Sequence, residues 1–154
     1  MNKLQPTIRY GLYSFIGIAI FFLLMRIVGL ENVIALRALN ILIVIYFTNQ
    51  LARINAQVNS KDQYLKSLIS LLTANAITVV ASVVSFAIYV TFLDPHFLQN
   101  VVGGILFAQN ITLDQAAVSI LMEGMAGSII VSFTLMQYWK ETVPKTKVEP
   151  NKIR

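Results

Sequence analysis

The chain has 154 residues, of which 56% are hydrophobic and only 12% are charged. A soluble domain of this size would expose much of that apolar surface to water, so the composition excludes an ordinary soluble fold and indicates a membrane protein. The net charge of +5 does not indicate nucleic-acid binding, because the basic residues flank apolar segments, where they orient helices in a membrane. The absence of cysteine excludes disulfides and thiolate metal sites.

The first two of four apolar segments lie close together in the first third of the chain. Each approaches the roughly 20 residues that a helix needs to cross the hydrocarbon core. The first, 10–28, lacks a small-residue cleavage pattern, so we expect a retained span and not a cleaved signal. Gly29 is expected to end it, and Asn32 to cap the second span, 33–51.

The third and fourth apolar segments are each preceded by a sequence that predicts a helix start. The third span is expected at 67–93, on a helix that begins in water near Lys61. Asp94 and Pro95 after it have the order of a helix cap followed by a first helical position. Thr112 and Gln115 have capping-box spacing and open the fourth span, 116–139.

The connection between the third and fourth spans has apolar residues at helical spacing from Phe97 to Ile105. This segment is too short to cross a membrane and predicts an interfacial helix. The fold prediction is therefore all-α: an antiparallel four-helix transmembrane bundle in residues 1–141, with this short interfacial helix between the third and fourth spans. The remaining residues, 142–154, are expected to be a mobile cytoplasmic tail.

The distribution of Lys and Arg predicts the orientation. Ten fall on the side of the two termini and the second connection, and only Arg26 and Arg37 fall on the other side. Positive charge is retained in the cytoplasm, so both termini are expected there, with the spans in a bacterial inner membrane.

Glu123, inside the fourth span, is the most informative residue. An unpaired carboxylate is costly in lipid. Arg26 and Arg37 are expected at a similar depth, and Asn40 lies one turn from Arg37, so these residues predict a buried ion pair or polar cluster. A proton or cation site is the functional alternative. Arginine partners would, however, keep the carboxylate ionised and so unavailable for the uptake and release of protons.

A stripe of polar, mostly small residues follows the third span at steps of three and four: Asn75, Thr78, Ser82, Ser85 and Tyr89. The fourth span has small residues beside Glu123, namely Gly124, Gly127 and Ser128. Such surfaces usually pack against neighbouring helices, and a water-filled path is the alternative. No cofactor site is expected, because His96 is the only histidine and no nucleophile or phosphate motif is present.

Four short motifs carry a resemblance to a known family. They are Arg9-Tyr10-Gly11-Leu12, the end of the second span from Tyr46 to Arg53, Asp94-Pro95-His96-Phe97-Leu98, and Glu123-Gly124 with Met136-Gln137-Tyr138. With these motifs the chain resembles a bacterial family of small four-helix integral membrane proteins catalogued only as a domain of unknown function. The resemblance implies the four-helix membrane fold and no activity.

Two functions are compatible with these features. The first is a non-catalytic structural or accessory protein of the inner membrane, in contact with lipids and either a homo-oligomer or a small subunit of a larger complex. The second is a small transporter or channel that uses Glu123 and the third-span stripe. An enzyme and a nucleic-acid partner are not expected. The sequence does not identify the partner, any transported substrate or the oligomeric state.

Overall fold

The computed structural model describes residues 4–29, 39–56, 63–95, 97 and 112–142, and the regular structure in these ranges is helical throughout. The all-α prediction is therefore confirmed. The helices are α1 (Leu4–Ile27), α2 (Asn40–Ala56), α3 (Gln63–Ile88) and α4 (Leu113–Thr142).

Three of these helices are long and apolar enough to cross a membrane, over Gln5–Ile27, Tyr64–Leu93 and Leu113–Trp139. Helix α2 has 17 residues, which rise about 25 Å against a hydrocarbon core of about 30 Å. The predicted second span, 33–51, begins in a stretch that lies outside the described residues. Four transmembrane spans therefore stay a prediction.

Helix α1 begins at Leu4, six residues before the predicted span. Pro6 is tolerated there because the first turn of a helix has no partner for its backbone N–H groups. The helix ends at Ile27, and Gly29 follows in the turn with a φ of 72°, which is accessible mainly to glycine and agrees with its predicted role as the stop signal. The Gly29 N–H donates to the Arg26 carbonyl at 3.0 Å, which closes the last turn.

The start of α4 confirms the predicted capping box. The Thr112 N–H donates to Gln115 Oε1 at 3.2 Å, and the Gln115 N–H donates to Thr112 Oγ1 at 3.4 Å. The helix then continues to Thr142, where the tail was expected to begin. The rest of that tail, 143–154, lies outside the described residues.

A π-helical turn, Tyr89–Leu93, extends α3 at its carboxyl end. The Asp94 N–H donates to the Tyr89 carbonyl at 3.1 Å, five residues back and not four. Such a turn accommodates one more residue than an α-helical turn and rotates the chain that follows it. Phe97, expected on the apolar side of an interfacial helix, is buried among aromatic rings, and residues 98–105 lie outside the described residues.

Helix α3 packs against the other three helices, and α2 also packs against α1 and α4. Glycine permits the close approach of α1 to α3, because a Cβ atom at Gly11 would lie 2.7 Å from the Ala74 carbonyl oxygen. One apolar core joins α2, α3 and α4 and comprises Leu51, Ala52, Leu68, Leu71, Ala74 and Met136. The helices therefore meet both at a close backbone approach and through a shared apolar core.

Candidate functional site

A buried polar network joins three helices at the predicted stripe of α3. Thr48 Oγ1 on α2 donates to Asn75 Oδ1 at 2.9 Å, and Asn75 Nδ2 donates to Ser132 Oγ on α4 at 3.1 Å. All three side chains are buried, and Ser132 has no exposed surface. Away from water, these direct bonds fix the relative positions of α2, α3 and α4.

A second set of polar contacts joins α1 to α3. Thr78 Oγ1 donates to the Gly11 carbonyl at 2.9 Å, next to the close approach of the two backbones. The hydroxyl groups of Thr7 and Ser70 are 2.6 Å apart on the same pair of helices. These contacts use side chains of α3 to pack against a neighbouring helix, as small hydroxyl residues do in membranes.

Helix α2 is also joined to α4 near the helix end that carries Trp139. Trp139 Nε1 donates to Asn49 Oδ1 at 2.8 Å, and both residues are partly buried. The indole ring also packs on the apolar core. Trp139 therefore contributes both a hydrogen bond and apolar contact to the α2–α4 interface.

The other end of the α3 stripe makes fewer hydrogen bonds. The Ser82 hydroxyl and the Tyr89 hydroxyl are buried, and neither has a hydrogen-bond partner among the described residues. Ser85 instead lines an open, mostly apolar groove together with Phe15 and Thr73. The five stripe residues thus lie in three environments. Asn75 and Thr78 are buried and hydrogen-bonded, Ser82 and Tyr89 have buried hydroxyl groups without a described partner, and Ser85 lines the open groove.

An aromatic cluster closes the carboxyl end of α3. Phe97 is at the centre of it, with ring centroids 5.9 Å from Phe22, 6.2 Å from Phe86 and 5.4 Å from Tyr89. The Arg26 guanidinium lies 4.9 Å from the centroid of the Tyr89 ring, a cation–π contact. Tyr89 therefore packs through its ring although its hydroxyl group has no described partner.

The ion pair in this region joins Arg26 to Asp94. Arg26 Nη2 lies 3.3 Å from Asp94 Oδ2, with side chains 37% and 25% exposed. The sequence instead predicted Asp94 as a helix cap and Arg26 as one of two partners for Glu123. Asp94 directly follows the π turn, which changes its direction around the helix axis relative to a continuous α-helix.

Glu123 lies far from Arg26 along the helices. The adjacent Gly124 packs on Val79, near the middle of the apolar part of α3. About 15 residues separate Val79 from Asp94, which corresponds to roughly 20 Å of helix. Arg26, paired at the end of α3, is therefore at a different level from Glu123, and a Glu123–Arg26 pair does not form.

Glu123 is exposed on the surface of the chain, not buried as predicted, and it has no ion-pair partner among the described residues. Arg37 lies outside those residues, so a Glu123–Arg37 pair stays a prediction. Asn40, expected in the same cluster, has a buried Oδ1 atom with no partner among the described residues. Among the described residues, Arg26 pairs with Asp94, and no hydrogen bond or ion pair joins Glu123, Arg26 and Asn40 to one another.

The small residues of α4 lie in different surroundings. A Cβ atom at Gly124 would lie 2.9 Å from Val79 Cγ1, so this glycine is needed for the contact with α3. Ser128 is buried. A Cβ atom at Gly127, in contrast, would meet no atom of the described residues within 4 Å. Gly124 and Ser128 therefore face the interior, whereas Gly127 lies beside open space.

Sequence reasoning missed the partners of the polar stripe. Thr48 and Ser132 carry hydroxyl groups in apolar helices, and the spacing of Ser128 and Ser132 by one turn is the signal for that face of α4.

Within the described residues, no group of three or more His, Asp or Glu side chains could hold a metal ion. The bonded network suits helix packing, whereas Glu123, inside α4, has no ion-pair partner among the described residues.

Comparison with known proteins assigns neither a family nor a function to the chain. No family model, curated protein or solved structure matches the chain. The resemblance to the family of small four-helix membrane proteins therefore stays a prediction from the four short motifs.

Proposed function

We propose that this chain is a non-catalytic structural or accessory protein of a bacterial inner membrane, which acts by packing against other membrane helices. The observation that carries the proposal is the direct bonding of Thr48, Asn75 and Ser132 in the interior. A transport path at this place would need water or substrate between the helices. These side chains instead form hydrogen bonds directly with one another, which favours a tightly packed structural protein.

The position of Glu123 supports the same function. A transporter that used this carboxyl group together with the α3 stripe would need both on one path. Asn75 and Thr78 are buried between helices, whereas Glu123 is exposed on the outer surface of α4. An outward-facing polar group in a membrane helix is suited to contact with another protein.

The transporter or channel remains the second candidate because of Ser82 and Tyr89. Their buried hydroxyl groups lack a hydrogen-bond partner among the described residues, and buried polar groups usually have a partner in protein or water. A water-filled space at this end of α3 would satisfy them.

Thiol accessibility distinguishes the two functions, and the cysteine-free chain permits it directly. We expect Ser82→Cys in lipid vesicles to resist a membrane-impermeant thiol reagent that labels Asp114→Cys fully, since Asp114 is exposed at the start of α4. Rapid labelling of Ser82→Cys, or a proton flux that Glu123→Gln abolishes, would contradict the accessory function and favour transport.

We also propose four transmembrane spans and cytoplasmic termini, on the basis of the ten-to-two distribution of Lys and Arg. In inverted and right-side-out vesicles, Thr142→Cys is expected to react only from the cytoplasmic side and Asp114→Cys only from the opposite side. The reverse pattern would show that the chain has the other orientation.

A further inference from the structure

Helix α4 has two different exposed faces. One is apolar and consists of Val118, Met122, Met125 and Ile129. The other, which we call the Glu123 face, consists of Ser119, Glu123, Ala126, Ile130, Phe133 and Gln137, all of them exposed. The first face suits lipid chains, whereas the second carries two hydrogen-bonding amide or carboxyl side chains and two small residues. The Glu123 face therefore suits contact with another protein helix better than contact with lipid chains.

The Glu123 face has the spacing of a helix–helix contact. Its positions follow one another at alternating steps of four and three, which place a seam of side chains along a neighbouring helix. Gly127 flanks this face one turn after Glu123, and in the part of the chain that the structure describes, no atom lies within 4 Å of the position that a Cβ would take there. The packing of the single chain therefore does not require this glycine, but a closely approaching second helix would.

Glu123 makes an unoccupied face unfavourable. It lies about ten residues into α4, or roughly 15 Å along the axis from the first residue of the helix, which places it inside a hydrocarbon core of about 30 Å. A carboxyl group at that depth needs a polar partner. The sequence has no Lys or Arg from Ser67 to Trp139, so the surrounding surface of α3 and α4 supplies no cation.

We propose that a second copy of this chain covers the Glu123 face, with α4 packed in parallel against α4 of the partner. This inference rests on the accessory function and specifies its partner and surface. Two copies in one membrane share an orientation, so a two-fold axis along the membrane normal brings equal residues together at equal depth. A neutral carboxyl, an amide and a hydroxyl each donate and accept, so Glu123, Gln137 and Ser119 can each pair with their own copies.

Energy transfer between labelled copies, measured while the protein is diluted in phosphatidylethanolamine–phosphatidylglycerol vesicles, tests the proposal. We expect Glu123→Leu and Gly127→Ile to weaken dimerisation about tenfold, which is near the upper end of the range for one interhelical contact in a membrane. Glu123→Gln keeps a donor and an acceptor and should stay within about threefold of the unchanged protein. Met122→Ile, on the apolar face, is the matched control and should have no effect.

Disulfide formation between single cysteines locates the contact. Ala126→Cys and Ile130→Cys should form disulfide-linked dimers, whereas Met122→Cys and Ile129→Cys should not. A monomer at every dilution, or linkage through the apolar face, would overturn the proposal. Equal loss for Glu123→Gln and Glu123→Leu would also overturn it, because the contact would then depend on the charge of Glu123 and not on hydrogen bonds between equal side chains of two copies.

Two controls separate this proposal from the function on which it rests. Helix content and thermal stability in detergent should not fall for Gly127→Ile, because the added Cβ meets no described atom of the single chain within 4 Å and Ile is a better helix former than Gly. If the protein does not dimerise and Ser82→Cys is unreactive, the proposal of a second copy as partner is wrong but the accessory function stands. A reactive Ser82→Cys would contradict the accessory function, whatever the oligomeric state.

Discussion

Substitution of Asn75 by Ala removes the centre of the network between α2, α3 and α4. Both hydrogen bonds of the amide are lost, to Thr48 and to Ser132. Interhelical hydrogen bonds in membrane proteins contribute about 0.6 kcal/mol each on average and up to about 1.7 kcal/mol. The truncated side chain also leaves a small cavity at a fully packed position, which costs about 1 kcal/mol. We expect a loss of about 2–3 kcal/mol in the free energy of unfolding.

Reversible unfolding in mixed detergent micelles measures this loss. The matched control is Thr73→Ala, which removes a polar side chain from an exposed position of the same helix and should change the free energy by less than about 0.5 kcal/mol. Thr48→Val and Ser132→Ala each remove one end of the network. Because Asn75 bonds to both, each should show coupling with Asn75→Ala in a double-mutant cycle.

A small effect would refute the reasoning. If Asn75→Ala and Thr73→Ala have equal effects, the network does not hold the helices together. If Asn75→Ala is destabilising but additive with both Thr48→Val and Ser132→Ala, the cost arises from the cavity and not from the hydrogen bonds.

Two further predictions concern other helix contacts. Gly11→Ala should lower the free energy of unfolding by about 1–3 kcal/mol, because its Cβ would lie 2.7 Å from the Ala74 carbonyl oxygen. Gly127→Ala in detergent-solubilised monomer should not lower it, because Ala is the better helix former and its Cβ meets no described atom within 4 Å; equal losses would contradict the difference in packing. Asn49→Ala should shift the fluorescence emission of Trp139, the sole tryptophan of the chain, because it removes the indole hydrogen bond of 2.8 Å; an unchanged spectrum would show that this bond is not formed in solution.

The sequence predicts the helices well because the physical signals for them are local. Apolar length, the capping box at Thr112 and the glycine at position 29 each depend on residues a few positions apart. The steps of three and four also place Asn75 and Thr78 on one face of α3. Their partners, Gly11 and Ser132, depend on which helices become neighbours, and that information is spread over the whole chain.

The surroundings of Glu123 are harder to predict for a specific reason. In water, a polar side of a helix indicates solvent and an apolar side indicates the core. In a membrane, both lipid and neighbouring helices accept apolar side chains, so periodicity does not separate the outer surface from the interior. Glu123 and Ser132 are both polar positions of α4, yet the first is exposed and the second is fully buried.

The π turn at Tyr89–Leu93 separates the register of α3 from that of the segment that follows it. Deletion of one residue within the turn would restore an α-helical register and rotate Asp94 by about 100° around the axis, away from Arg26. The polar contacts of Asn75 and Thr78, several turns earlier, would keep their positions. In evolution, the insertion or deletion of one residue in this turn can therefore rotate the start of the connection after α3 without altering the packing of α3 against the other helices.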